Sequence, residues 1–419
     1  MSLNVSHAIP AVLAQHLEAA VHLGGARLRL LSAPHVTLRQ LRRSDDRLTA
    51  HLDGLTVAGE AGKEVLVSAL AETGVAEVFV VGASALVSGD RRQIERLLAI
   101  GAAVPAALPG LTAAFGWAEP AQLQGLVSEL LRADSATARL VGLSACARHR
   151  VDPGLRLHKG LEDSDPGVRA RALRTAGELG LSALVSTCAA ATGTSDEGCR
   201  FWAAWSAVLL GDRRPALEVL ASIGSMPGPF QARASNLAIQ AMNIGSARAY
   251  LESTARDPAS LRRLMLGTGL LGDPAHVPWL IELMSDDSLA RPAGEAFSLV
   301  TGANLAALDL ERKPPEEFES GPDDNPEHSN VEMDDDDGLP WPDTARIQAW
   351  WDANSSHFQP GVRHFMGEAL NAAHCAQVLR VGFQRQRIAA ALHLSLLNPG
   401  TSLFEWRAPA HRQQQLLAS

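Results

Sequence analysis

Residues Asp163 to Gly180 read DSDPGVRARALRTAGELG, and this stretch decides the fold. Asp165-Pro166 has the chemistry of a helix start. An aspartate carboxylate accepts from the free N–H groups of a first turn, and proline at the first helical position gives up a donor that has no intrahelical partner. Val168, Ala172, Leu173, Ala176 and Leu179 then recur at helical spacing on one face. Gly180 suits a left-handed C-terminal cap. The stretch predicts a short amphipathic helix with both ends marked.

The frame repeats. Arg169 has counterparts at Arg139, Arg200, Arg233, Arg262 and Arg291, in steps of 29 to 33 residues. Backwards, the register falls on Pro109 and Glu77. About eleven residues after each of Arg169, Arg200, Arg233, Arg262 and Arg291 comes a glycine: Gly180, Gly211, Gly245, Gly272 and Gly302. A period near thirty holds two helices and two turns, and such pairs must stack to bury a core. Ala172, Ala176, Ala204 and Ala238 allow close helix approach. The unit resembles the second half of a HEAT repeat. That resemblance implies an all-α fold: a right-handed α-solenoid of HEAT-like helix pairs with an N-terminal helical cap and a C-terminal helical extension. The arginine row reads as a structural ladder between repeats, each guanidinium paired with a loop aspartate, as Arg169 with Asp165.

Second helices are expected to begin near Asp134, Asp165, Asp196, Pro229, Asp257 and Asp286. In a solenoid these commonly face the concave side. Arg171, Arg174, Trp202, Trp205, Asn236 and Arg263 are the candidate partner-binding residues there. At least one ring of the Trp202/Trp205 pair is expected to be exposed in the groove.

Hydrophobic residues make up 46% of the 419-residue chain and aromatics 5%, with a formal net charge of -9. No basic stripe points to nucleic acid. Cys146, Cys188, Cys199 and Cys375 form no CxxC and read as buried free thiols. Residues 1–23 carry no basic segment ahead of an apolar core, so no secretory signal is expected, and no apolar run is long enough to span a membrane.

Four segments follow: an N-terminal cap over 1–60, repeats over 61–306, an acidic loop over 307–342, and a C-terminal extension over 343–419 with a degenerate repeat near Arg387. In the cap, helices are expected from Pro10 to His22, from Thr37, and from Ser44 to Ala58. The acidic loop lacks helical period and is expected to be flexible and dispensable for folding. Asp334 to Asp337 invite a calcium reading, but the EF-hand frame would need acids where Met333 and Thr344 stand. Trp341, Trp350 and Trp351 either anchor a partner or seal the C-terminal core; Trp350 and Trp351 join the candidate partner-binding residues. His357, His364 and His374 lack the spacing of a metal site, and neither metal nor cofactor is expected.

The two ends carry a second resemblance. Ile9-Pro10, Ala33-Pro34-His35 and His51-Leu52-Asp53-Gly54-Leu55 stand near the start. Leu339-Pro340-Trp341-Pro342-Asp343, Trp350-Trp351, Arg385-Gln386-Arg387 and Pro399-Gly400-Thr401-Ser402-Leu403-Phe404-Glu405 stand near the end. Together they resemble a proteobacterial HEAT-repeat family often encoded beside type VI secretion components. The resemblance implies a cytoplasmic accessory protein – adaptor, effector chaperone or immunity-type partner – that binds another protein such as an effector or spike component.

No nucleophile elbow, P-loop or zinc-protease motif occurs; Gly82-Ala83-Ser84 and Gly142-Leu143-Ser144 lie in helical segments. The expected function is therefore a non-catalytic protein-binding scaffold. The alternatives are a HEAT-type enzyme related to bilin lyases and a nucleic-acid-binding solenoid.

Overall fold

The computed structural model describes residues 9–254, 260–316, 318 and 334–418. Asp257 and Met333 lie outside them. The chain opens with α1 (Pro10–Leu30), α2 (Leu38–Val57) and α3 (Glu60–Ser68). Helices then alternate between an inner and an outer row. They are α4 (Val75–Ser88), α5 (Arg91–Ala103), α6 (Leu108–Trp117), α7 (Leu126–Leu130), α8 (Ala136–Arg148), α9 (Leu155–Leu161), α10 (Pro166–Leu179) and α11 (Val185–Ala191). The row continues through α12 (Glu197–Leu209), α13 (Pro215–Ser225), α14 (Gln231–Ala241), α15 (Ile244–Thr254), α16 (Leu261–Leu271), α17 (Val277–Leu283) and α18 (Asp287–Thr301). The even-numbered helices from α4 to α18 pack in sequence along the inner side.

Local chemistry sets the helix starts. Ser135, Asp165, Asp196 and Asp286 cap α8, α10, α12 and α18 with their side chains. Thr37 and Gln40 form a reciprocal capping box on α2. Two expected helices are one here: nothing between Thr37 and Val57 breaks the helix, and Arg42 bonds Asp46 one turn on at 2.6 Å. α1 runs past His22 because Gly24 is buried against Phe79 of α4, where a Cβ would sit only 3.0 Å from the ring. Gly245 lies inside α15 and caps nothing, a correction to the glycine frame.

The C-terminal extension holds α19 (Thr344–Asn354), α20 (Ala372–Val381), α21 (Gln384–Leu397) and α22 (Ala410–Ala418). Two small antiparallel pairs accompany it, β1 (Glu311–Arg312) with β2 (Trp341–Pro342) and β3 (His364–Phe365) with β4 (Glu368–Ala369). The extension runs along the rim where inner helices end. Each such end leaves carbonyls without intrahelical partners, and the extension supplies donors. His364 N–H donates to Gly272, Met366 and Gly367 to Leu299 and Val300, and Leu403 to Glu178. Arg363 reaches the terminal carbonyls of α14 and α16, and Arg412 those of α6. Both also place positive charge at the negative ends of helix dipoles.

Gly180 shows why the rim needs glycine. Its φ is 68°, and a Cβ there would meet the Thr401 backbone at 2.5 Å. Gly272 and Gly302 take the same left-handed cap under His364 and Met366.

The extension also joins the two ends of the arc. Arg27 pairs with buried Asp45 at 2.8 Å and donates to the carbonyls of Arg407 and Ala408. Asp45 accepts from the Ala410 N–H, and Gln384 N–H bonds the Val36 carbonyl. Thr37 bridges Phe383. The solenoid is thereby tied into a ring.

The acidic run is held rather than loose at its end. Asp336 is buried and takes a two-pronged bond from Arg262, one arm at 2.6 Å. Arg291 bonds Asp334 at 2.6 Å and stacks over Trp341. Residues 334–342 of the segment expected to be flexible are thus fastened by two ladder arginines, while 317 and 319–333 lie outside the described residues.

Candidate functional site: the central cavity

The ring encloses a cavity of ≈ 820 Å³, reached by α1, α4, α6, α8, α10, α12 and α14 on one side and by α21 and the Leu403–Arg407 stretch on the other. Six of the residues facing it are arginines, Arg27, Arg148, Arg171, Arg174, Arg233 and Arg407, against one carboxylate, Glu178. Trp202, Trp205 and Trp406 supply its aromatic wall.

α10 builds the centre of this site. Arg171, Arg174 and Glu178 follow at helical spacing, so one face carries all three. Glu178 is buried and bonded by Arg171, by Arg174 at 2.8 Å and by Arg407 at 2.9 Å. Burial alone would raise its pKa, but these three guanidiniums hold the carboxyl well below its usual range. Behind it lies a second buried carboxylate, Glu405. Arg407 bonds it at 2.7 Å, Arg150 at 3.1 Å, and Arg148 approaches to 3.8 Å. Glu405 too is held low, against the cost of its burial, by Arg407, Arg150 and Arg148.

Arg150 occupies a strained position. Its φ is 56° at the end of α8, one repeat before Gly180, where the frame elsewhere uses glycine. A non-glycine residue there costs roughly 1–3 kcal/mol. The strain is offset by what the side chain reaches: Glu405 and the Leu403 carbonyl at 2.6 Å.

The remaining guanidiniums are poorly matched. Arg233 makes no hydrogen bond or ion pair among the described residues; it lies over the Trp202 ring at 5.4 Å, and Arg174 lies over the same ring at 4.3 Å. Burial and the neighbouring Arg407 push Arg148 down to about 9. Burial likewise lowers Arg174, with Arg407, Arg171 and Arg233 opposing the pull of Glu178.

The helix pairs under this face carry the known signature. Residues 155–240 match the family model for HEAT repeats. This span covers α9 to nearly the end of α14, the helices that hold Glu178, Trp202 and Trp205. No curated protein and no solved structure matches the chain. The fold is a HEAT-type α-solenoid.

The structure sorts the predicted residues. Arg171, Arg174, Trp202, Trp205 and Asn236 meet at the cavity, and Asn236 also faces a second cleft beside α16, α18 and α21. Neither Trp202 nor Trp205 is exposed, at 8% and 4%. The expected exposed ring is corrected: the two indoles pack edge to face with each other, and Trp202 packs the same way with Phe201 and Phe230. Arg263 sits on α16 but faces neither cavity. Trp350 and Trp351 belong to the C-terminal core, against Phe297 and Phe358. Trp351 is buried in the core around α17 and α18, and Trp350 is half-buried against it.

The ladder is real in only part of the row. Arg139 pairs with Asp163 of the next repeat at 2.7 Å and also bonds two carbonyls of its own loop. Arg169 bonds the Asp163 and Ser164 carbonyls, while Asp165 spends its carboxylate on capping Val168. The expected Asp165–Arg169 pair is thus replaced by carbonyl contacts. Arg200 has no charged partner among the described residues, Arg233 faces the cavity, and Arg262 and Arg291 clamp the acidic run.

Sequence reading missed Arg148, Arg150, Arg407, Glu405 and Trp406. Arg150 was findable as the non-glycine residue at the cap position of the frame. Glu405, Trp406 and Arg407 stand in a segment without periodicity and gain meaning only from the ring closure.

All four cysteines are free and buried. Among the described residues no group of His, Cys, Asp and Glu could hold a metal ion, and no helix is long and apolar enough to cross a membrane.

Proposed function

We propose that the chain is a non-catalytic scaffold that binds another protein through the inner side of its ring. One observation supports this most directly: the inner helices from α1 to α14 present a continuous concave wall that the chain's own extension borders but leaves open as a cavity of ≈ 820 Å³. HEAT repeats serve widely as interaction surfaces of this kind. The resemblance at the two chain ends supports the finer reading, a cytoplasmic accessory protein of type VI secretion whose partner is an effector or spike component.

Site-specific photo-crosslinking in the native cytoplasm tests the surface. A crosslinker at Asn236 should capture a discrete protein, and one at Leu155, which is 81% exposed on α9, should not. Capture from Leu155 alone would move the interface to the outer row and overturn the reading.

A further inference from the structure

The central cavity holds more positive charge than its architecture uses. Arg148, Arg150, Arg171, Arg174, Arg233 and Arg407 surround two carboxylates, Glu178 and Glu405. A buried network that served stability alone would be balanced, because each uncompensated buried charge is costly. Here Glu178 and Glu405 are saturated by Arg171, Arg174, Arg407 and Arg150. Arg148 reaches a carboxylate only at 3.8 Å, and Arg233 reaches none among the described residues. One nitrogen of Arg150 is buried without a partner.

We infer that the cavity is a binding site for a phosphate-bearing small molecule, its phosphate held by Arg148 and Arg233 together with Arg174, whose bond to Glu178 uses its Nε alone. Three features select this chemistry. The guanidiniums arrive from three helices, α8, α10 and α14, so they converge on a volume rather than on a plane. A tetrahedral phosphate offers several strong acceptor oxygens in different directions and close to two negative charges, whereas one carboxylate offers a single plane and one charge. Two of the arginines are also steadied in advance: Arg174 and Arg233 both lie over Trp202, which limits the side-chain freedom lost on binding. Finally, ≈ 820 Å³ far exceeds a bare phosphate and falls in the range of small-molecule sites, which points to a phosphate ester or oligophosphate.

The inference goes beyond the scaffold reading and does not depend on it; a partner protein could be lost while the anion still binds. Isothermal titration calorimetry on the full chain tests it, at low ionic strength, with inorganic phosphate, pyrophosphate, ATP and citrate as probes. Cavity tryptophan fluorescence follows the same titrations. Pyrophosphate or ATP should bind more tightly than citrate, with a fluorescence change. Arg233→Gln and Arg148→Gln should each weaken that binding roughly tenfold, the scale of one charge-assisted hydrogen bond. Arg91→Gln, at an exposed pair with Glu129 on the outer side, should leave it unchanged. Arg233 makes no hydrogen bond or ion pair among the described residues, so its variant should fold as the parent does; unchanged circular dichroism checks that. Absence of binding by every phosphate probe overturns the inference. So does tighter binding of citrate, or phosphate binding that neither cavity variant weakens.

Discussion

Two regions of the ring bury arginine against acid, and they do it differently. At the C-terminal clamp, Arg262 faces Asp336 and Arg291 faces Asp334, one guanidinium to one carboxylate. At the central cavity, five guanidiniums share Glu178 and Glu405, and Arg233 adds a sixth that reaches neither among the described residues. The clamp is a closed account between two chain segments, and it fastens the acidic run to the last repeats. The cavity leaves charge unmatched on its surface, which is the electrostatic form of a receptor rather than of a staple.

The largest effect should come from the scarce partner. Glu178→Ala removes the carboxylate that three guanidiniums share, and a stability loss of about 3–5 kcal/mol is expected from breaking a buried ion pair. Chemical denaturation measures it. Removing an arginine in excess should do the opposite of what clamp logic predicts: Arg233→Ala should change stability by about 0.5 kcal/mol or less. A large loss at Arg233 would erase the distinction between the two regions. Acid should act through the same carboxylates. Glu178 and Glu405 have lowered folded pKa values, so their contribution is present above the unfolded glutamate value of about 4.3 and is lost as pH falls through their folded values. The melting temperature should therefore drop below about pH 4, and Glu178→Gln should flatten that drop.

Glycines at helix ends give a second, smaller contrast. Gly180 and Gly89 have nearly the same backbone, φ 68° and 67°, but Gly89 has open space where Gly180 has Thr401. Gly89→Val should lose only the strain of a left-handed residue, roughly 1–3 kcal/mol. Gly180→Val should lose that and the rim contact as well. Equal melting temperatures for the two variants would mean the extension is not seated at this point.

How far the sequence carried the reading follows from the same physics. The repeat frame, with Asp165, Asp196 and Asp286 as caps and Gly180, Gly272 and Gly302 as stops, was visible because helix ends are decided by residues close in sequence. The candidate residues Arg171, Arg174, Trp202, Trp205 and Asn236 lie on one face of neighbouring inner helices, so periodicity located that wall. Glu405 and Arg407 were silent because their meaning comes from Glu178, more than two hundred residues away. Asp334 and Asp336 looked like solvated acid for the same reason: composition does not show the two arginines that wait for them. Trp202 and Trp205, of which one ring was expected in the groove, are both buried because the small residues around them leave room that Phe201, Phe230 and the two indoles fill together.

The clamp predicts an intermediate effect. Asp336→Asn leaves Arg262 and the buried end of the acidic run without their charge partner. Arg262 is more than a third exposed, so solvent screens the pair, and a loss of roughly 1 kcal/mol is expected. Proteolysis between α18 and α19 should quicken in that variant; an unchanged rate would show that the acidic run is fixed by Trp341 and Arg291 without Asp336.

A last pair of variants tests whether a repeated residue means a repeated bond. Arg139 and Arg200 stand at equivalent places in α8 and α12, two repeats apart. Arg139 donates through two nitrogens to Asp163 of the following repeat, and a third contacts the Ala133 and Asp134 carbonyls. Its folded pKa is raised, first by the bond to Asp163, and that of Asp163 is correspondingly lowered by the same bond. Asp163 is only about a tenth exposed, so water screens this pair less than an ordinary surface pair. Arg139→Ala should cost about 1–2 kcal/mol, the scale of hydrogen bonds to a charged group with modest discount for its rim of solvent. Arg200 has no such acid within reach among the described residues, and Arg200→Ala should cost no more than about 0.5 kcal/mol. Thermal denaturation of the two variants, measured side by side at neutral pH, separates the cases. If Arg200→Ala costs as much as Arg139→Ala, the row acts through something both share, the packing of the side-chain stem across adjacent helices, and the ion pair at Asp163 adds little to it.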